Sequence, residues 1–126
     1  MLVNIEASVK TPAISMDEND GEISIKGISI PEDPHEFYSP LIKAISDYQT
    51  SPAEKTALNL HLEYFNTSST LIIRNLIKDL QSIKAETDLV VNWFFESDDE
   101  DMKEAGEEFK LLFADLNFNV TAVDHF

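Results

Sequence analysis

The chain has 126 residues, 43% of them hydrophobic, with 24 Asp or Glu against 9 Lys or Arg and a formal net charge of −15. That length suits one domain with its own core, and the hydrophobic share argues against disorder. The lack of cysteine excludes disulfides, thiol chemistry and Cys-ligated zinc, three glycines leave no Gly-rich phosphate loop, and the acidic surface repels nucleic-acid phosphates and anionic lipid heads while suiting a basic partner.

Residues 1–10 read as a loose arm, and 11–126 as a single domain. The start, MLVNIEASVK, has no basic cluster followed by a long apolar run. No segment approaches the roughly 18 consecutive apolar residues of a spanning helix. The expectation is a soluble, cytoplasmic protein without membrane insertion.

Ala13-Ile14-Ser15-Met16 and the alternating Glu22–Ile30 flank Asp17-Glu18-Asn19-Asp20-Gly21, which predicts a β-hairpin. The acidic turn does not fit a calcium loop. Aligned on Asp20-Gly21, the first ligand position falls on Met16 and the last on Gly27. Asp33, Pro34 and Glu36 form a helix start. Phe37, Leu41, Ile45 and Tyr48 then mark one helical face, with Pro40 as a possible kink. Thr56–Phe65 alternates as a strand, placing Leu58, Leu60, Leu62 and Tyr64 on the core side and Asn59, His61, Glu63 and Phe65 on the other.

A helix follows, with Ile72 or Ile73, Leu76, Ile77, Leu80 and Ile83 inward. Leu89–Phe95 is apolar on nearly both faces and reads as the central strand. Ser97-Asp98-Asp99-Glu100 reads as a capping box for a helix with Met102, Ala105, Phe109, Leu112 and Phe113 inward. Phe118–Val123 is a last strand. The order β-β-α-β-α-β-α-β predicts an α/β fold, with one mixed, mostly parallel sheet of about five strands and three helices.

No catalytic constellation emerges. His35, His61 and His125 have no metal-ligand neighbour at i+3 or i+4, so no metal site is expected, and no serine sits in a G-x-S-x-G elbow. No cofactor is expected. The distinctive piece is Asn66-Thr67-Ser68-Ser69-Thr70, five small polar residues joining the strand 56–65 to the helix that follows. Asn66 or Thr67 can cap that helix through an N–H two or three residues on. The strand's carboxyl end is also where ligands and switches sit in α/β sheets, and a helix N-terminus welcomes phosphate. A phosphorylated hydroxyl there would add about −1.5 to −2 charges and strong acceptors.

Thr11-Pro12-Ala13-Ile14, the strand-turn-strand, Pro31-Glu32, Leu60-x-Leu62-x-Tyr64-x-Asn66-Thr67-Ser68-Ser69, Trp93-Phe94 and Glu107-Glu108-Phe109-Lys110 together resemble the SiaC family, bacterial regulators of biofilm formation and cyclic-di-GMP signalling. The likeness runs from about residue 11 to 113, and Asn117–Thr121 forms an ending of its own. The resemblance implies a SiaC-like regulatory domain over 11–126, with STAS-like architecture similar to anti-sigma factor antagonists. It implies a non-enzymatic partner switch. On that resemblance, a dedicated serine/threonine kinase is expected to phosphorylate Thr67, a PP2C-type phosphatase to remove the phosphate, and the unphosphorylated form to bind and activate a diguanylate cyclase or another output protein. Asn66, Ser68, Ser69 and Thr70 are then flanking and capping residues. The alternatives are a small-molecule-binding module or enzyme using the crevice at the strand carboxyl ends, and a structural subunit whose joint is only a cap.

Overall fold

A computed structural model describes residues 2–126. Six strands and three helices follow one another as β1 (Leu2–Ile5), β2 (Ala13–Asp17), β3 (Glu22–Ser29), α1 (Pro34–Tyr48), β4 (Lys55–Phe65), α2 (Thr67–Gln81), β5 (Asp88–Glu96), α3 (Glu100–Leu112) and β6 (Asn117–Val123). The sheet order is the chain order, β1-β2-β3-β4-β5-β6. β1–β2 and β2–β3 pair antiparallel, and the remaining three pairings are parallel.

Sequential order has a geometric consequence. Right-handed crossovers that always step in the same direction place every helix on the same side of the sheet. The register agrees. Ile23, Leu58, Val91 and Phe118 lie side by side across β3–β6, and all four are buried. The next row, Ser24, Asn59, Asn92 and Asn119, is polar and faces away from the helices. One face therefore carries the core and the other stays open. The winding never reverses, so the sheet lacks the crevice that a reversal opens in doubly wound folds.

The hairpin forms as the sequence predicts. Asp17 Oδ1 accepts from the N–H groups of Asn19 and Asp20, and Gly21 supplies φ +70° at the turn's end. Asp33 caps α1 by accepting from Glu36 N at 3.1 Å, with Pro34 at the first helical position. Pro40 cannot donate to the Glu36 carbonyl four residues back, and the Ser39 hydroxyl donates to it instead at 3.0 Å. α1 is then fixed to the sheet at both ends by tyrosine hydroxyls. Tyr38 reaches Ser29 at 2.6 Å, and Tyr48 reaches Thr56 at 2.6 Å, which in turn meets Thr87 at 2.7 Å.

Several expectations need correction. Within the expected arm, Leu2–Ile5 is a strand that pairs with β2 and buries Val3, so the sheet has six strands rather than five. Four residues are too few for their alternation to stand out in the sequence. β5 is interior but next to the edge strand β6, and the middle of the sheet is β3 and β4. Its second face is only half-buried, because no layer covers it. Asp99, not Ser97, caps α3, accepting from Met102 N at 3.1 Å. Leu112, expected inward, is 56% exposed, since the helix ends there and Phe113 takes the core position.

The most consequential correction lies at the end of β4. Gly27 pairs with Leu62, but Ile28 pairs with Tyr64, so β4 holds one extra residue at this point. A one-residue slip inverts the faces of everything beyond it. Tyr64, expected in the core, is 56% exposed, while Phe65 turns inward to meet Trp93 edge-on at 5.8 Å between centroids. Gly27 accommodates the irregularity with φ +126°, where a side chain would be strained.

Candidate functional site

β4 leaves the sheet at Phe65, and α2 begins two residues later. Asn66 is the cap, with extended backbone (φ −89°, ψ 175°), and its Oδ1 accepts from Ser69 N at 3.0 Å. Thr67 is therefore the first helical residue. The four hydroxyls of the joint divide into two pairs. Thr67 and Ser68 are exposed, and among the described residues neither hydroxyl has a hydrogen-bond partner. Ser69 is fully buried, and Thr70 donates back to the Asn66 carbonyl at 3.2 Å.

Ser69 is the hub of a buried chain of hydroxyls. Its Oγ donates to the Ser29 carbonyl at 3.0 Å and accepts from the Ser29 hydroxyl at 2.8 Å. The single Ser29 proton is thereby used, so Tyr38 donates to Ser29 Oγ at 2.6 Å. Burial pushes the Tyr38 phenol up to about 12, against a smaller opposing effect of the Ser29 hydrogen bond, so it stays a donor at neutral pH. The network ties β3, α1 and α2 together beneath the joint. It also removes Ser69 from the accessible hydroxyls, and the Thr70 back-bond engages a second. Sequence analysis missed Ser29 and Tyr38, because Ile28 and Ile30 suggest the opposite strand face and Tyr38 sits beside the apolar Phe37.

The electrostatics of this helix start differ from those of the other two. α1 has Glu36 in its first turn and α3 has Glu100 and Asp101, whereas α2 has no acid there. In a chain with 24 acids, this helix dipole is left without a carboxylate. The N–H groups of Thr67 and Ser68 also have no protein partner among the described residues, as expected for the first turn of a helix. A covalently attached anion would find both.

Tyr64 and Leu71 are 56% and 54% exposed on either side of the joint in sequence. Thr70, Arg74, Glu108, Phe109 and Leu112 line a shallow groove of about 150 Å3 between α2 and α3. Of the three histidines, His61 lies on the open sheet face, stacked on Phe94 at 4.4 Å and meeting Phe126 edge-on at 5.6 Å. No cluster of three or more metal-ligating side chains occurs among the described residues, and none of their helices is long and apolar enough to cross a membrane.

The fold matches solved structures of Pseudomonas aeruginosa proteins. A chain in the crystal structure of the diguanylate cyclase SiaD in complex with its activator SiaC superposes with a TM-score of 0.88 at 25% identity, over 96% of this chain and 99% of that one. Apo-SiaC superposes with a TM-score of 0.83 at 24% identity, over 98% and 99% of the two chains. An uncharacterized protein of P. aeruginosa strain UCBPP-PA14 is 27% identical over 109 residues, 86% of each chain. The architecture is thus STAS-like, one α/β layer pair. Residues 5–123 match the SiaC family of regulatory phosphoproteins, and the chain belongs to that family.

Proposed function

We propose that this protein is a non-enzymatic, cytoplasmic partner switch controlled by reversible phosphorylation of Thr67, and that its unphosphorylated form binds and activates a diguanylate cyclase in cyclic-di-GMP and biofilm control. The observation that carries the reading is the position of Thr67. Its hydroxyl is exposed and unengaged at the start of the one described helix without a first-turn acid. Phosphate there meets free N–H groups and an uncompensated dipole, so the fold tolerates the modification. Its charge falls three residues after Tyr64 and four before Leu71, exposed apolar groups on which a partner would seat. A dianion next to such a contact disfavours docking by desolvation and by repulsion from any acidic group of the partner. A dedicated serine/threonine kinase and a PP2C-type phosphatase complete the cycle.

Asn66, Ser69 and Thr70 hold the geometry. Ser68 is the competing acceptor, because it is also exposed. The test is incorporation of phosphate by the cognate kinase, followed by peptide mapping. Thr67→Ala is expected to lose the label and Ser68→Ala to keep it, and the reverse result would move the switch to Ser68. Cyclase activation by the two purified forms then tests the output, with activation by the unphosphorylated form alone as the expected result. The ligand-binding alternative finds little room here. The groove beside the joint, at about 150 Å3, is below the roughly 300 Å3 at which small-molecule sites begin.

A further inference from the structure

The open face of the sheet carries a row of amides. Asn119 Nδ2 donates to Asn92 Oδ1 at 3.1 Å, Asn92 Nδ2 donates to Asn59 Oδ1 at 2.9 Å, and Asn59 Nδ2 donates to Glu22 Oε2 at 2.9 Å. The row starts at a carboxylate and runs in one direction, across four strands, to the sheet edge. There it stops unfinished. Asn119 is exposed, and among the described residues its Oδ1 accepts from no donor. Each amide can offer two donors and two acceptors.

β6, which carries Asn119, is the longer free edge of the sheet. It has seven residues against four in β1, the other edge strand. Edge strands normally carry charges or proline that block further pairing. Asn117-Phe118-Asn119-Val120-Thr121-Ala122-Val123 has neither, in a chain of net charge −15. On the helix side, a groove of about 480 Å3 runs along this edge between α3 and β6, lined by Leu111, Ala114, Leu116 and Val120, with Glu107 and Lys110 contributing one charge of each sign. Leu111 is 79% exposed.

We infer that β6 is a self-association edge, on which a second copy of this chain adds its own β6 antiparallel about a two-fold axis at Asn119. The occupant follows from charge and symmetry. Two molecules of charge −15 repel, so they meet most easily where both surfaces are uncharged, and this edge is such a strip. An antiparallel pair about a two-fold axis perpendicular to the sheet keeps the helices of both copies on one side and opposes residues of the same face. Centred on Asn119, it sets Phe118 against Val120 of the second copy and Asn117 against its Thr121, apolar facing apolar and polar facing polar. The two Asn119 amides meet at the axis, where each supplies the donor that the other lacks. The amide row then continues from the Glu22 of one copy to that of the other.

The test is sedimentation velocity over a broad micromolar range, together with cross-linking through single cysteines in this otherwise cysteine-free chain. The native protein is expected to sediment at twice its 14.2 kDa mass at the upper end, more readily at high salt as repulsion is screened. Asn119→Cys is expected to form a disulfide-linked pair on mild oxidation, and Ala122→Cys, which the register places six residues from its own copy, is not. Asn119→Asp opposes two carboxylates at the axis and is expected to return the monomer. Leu111→Glu does the same from the groove without touching the amide row. Far-UV circular dichroism verifies that each variant is folded. A native protein that stays monomeric at every concentration and salt overturns the inference, as does equal cross-linking at positions 119 and 122.

Discussion

Two strand-to-helix joints lie side by side at the same end of the sheet, and they are built from opposite materials. The β4–α2 joint is uncharged and rich in hydroxyls, with Asn66 as its cap and no acid in the first turn. The β5–α3 joint is anionic, with Asp99 as its cap and Glu100 and Asp101 following. Beneath them the contrast continues. α2 is tied down by the polar Ser69–Ser29–Tyr38 chain. α3 is held by close apolar approach, with the Trp93 Nε1–H donating to the Met102 carbonyl at 3.0 Å and Gly106 lying against the Trp93 ring, which also stacks on Phe109 at 5.2 Å. One cap is enough for each helix, so the extra hydroxyls are not required for capping. The acidic joint has its compensating charge encoded permanently. The neutral joint carries no such charge in its first turn.

The largest expected effects come from the two anchoring layers. A Cβ at Gly106 would lie 2.5 Å from Trp93 Cδ1, so Gly106→Ala forces α3 off the sheet and is expected to cost about 1–3 kcal/mol in urea unfolding. Ser69→Ala strands the buried Ser29 hydroxyl and is expected to cost about 1–3 kcal/mol, while leaving the Thr67 hydroxyl accessible. If Ser69→Ala proves neutral, the polar layer is not what fixes α2.

Cap removal comes next. Asn66→Ala and Asp99→Ala are each expected to lose about 1 kcal/mol. The Asp99 loss should shrink with added salt and the Asn66 loss should not, because only Asp99 adds a charge to the dipole. Smaller still is the effect of charge at the first helical position. Thr67→Asp is expected to raise stability by about 0.3–1 kcal/mol at low salt, against a loss for Glu100→Gln in α3, both read from denaturation midpoints. A destabilising Thr67→Asp would mean that the neutral joint does not favour an anion, and would weaken the case for phosphate there.

The smallest effect lies on the open face, away from both joints. His61 Nδ1 is buried without a hydrogen-bond partner. Burial, with a lesser contribution from Lys26, holds the His61 imidazole below its usual 6.5. The folded state thus binds the proton less readily than the unfolded one. Its contribution to stability is full above pH 6.5 and is lost as pH falls through the lower, folded value. A His61→Phe variant should therefore show a flatter stability profile on the acid side than the native protein, and NMR titration should find the His61 midpoint below 6.5.

Much of the fold was legible in the residues. The hairpin, the Asp33–Pro34 helix start and the inward face of α2 follow from turn chemistry, capping and period, which are local properties of the chain. Leu2–Ile5 was not legible, because four residues carry too little alternation. The facing of Tyr64 and Phe65 was not legible either, because a bulge is a property of a strand pair and leaves no mark on one strand. The joint itself was recognisable as hydroxyl-rich; the choice of Thr67 within it rests on the family resemblance.

What the sequence determined by itself was chemistry available at a place: an uncharged run of four hydroxyls after a cap, in a chain otherwise crowded with acids. What only the tertiary structure decided was which hydroxyls remain available. Asn66 takes the cap and turns Thr67 and Ser68 toward solvent, while β3 and α1, distant in sequence, close over Ser69. Accessibility depends on those long-range neighbours. Local pattern cannot supply it, because the residues that bury Ser69 lie some thirty to forty positions away along the chain.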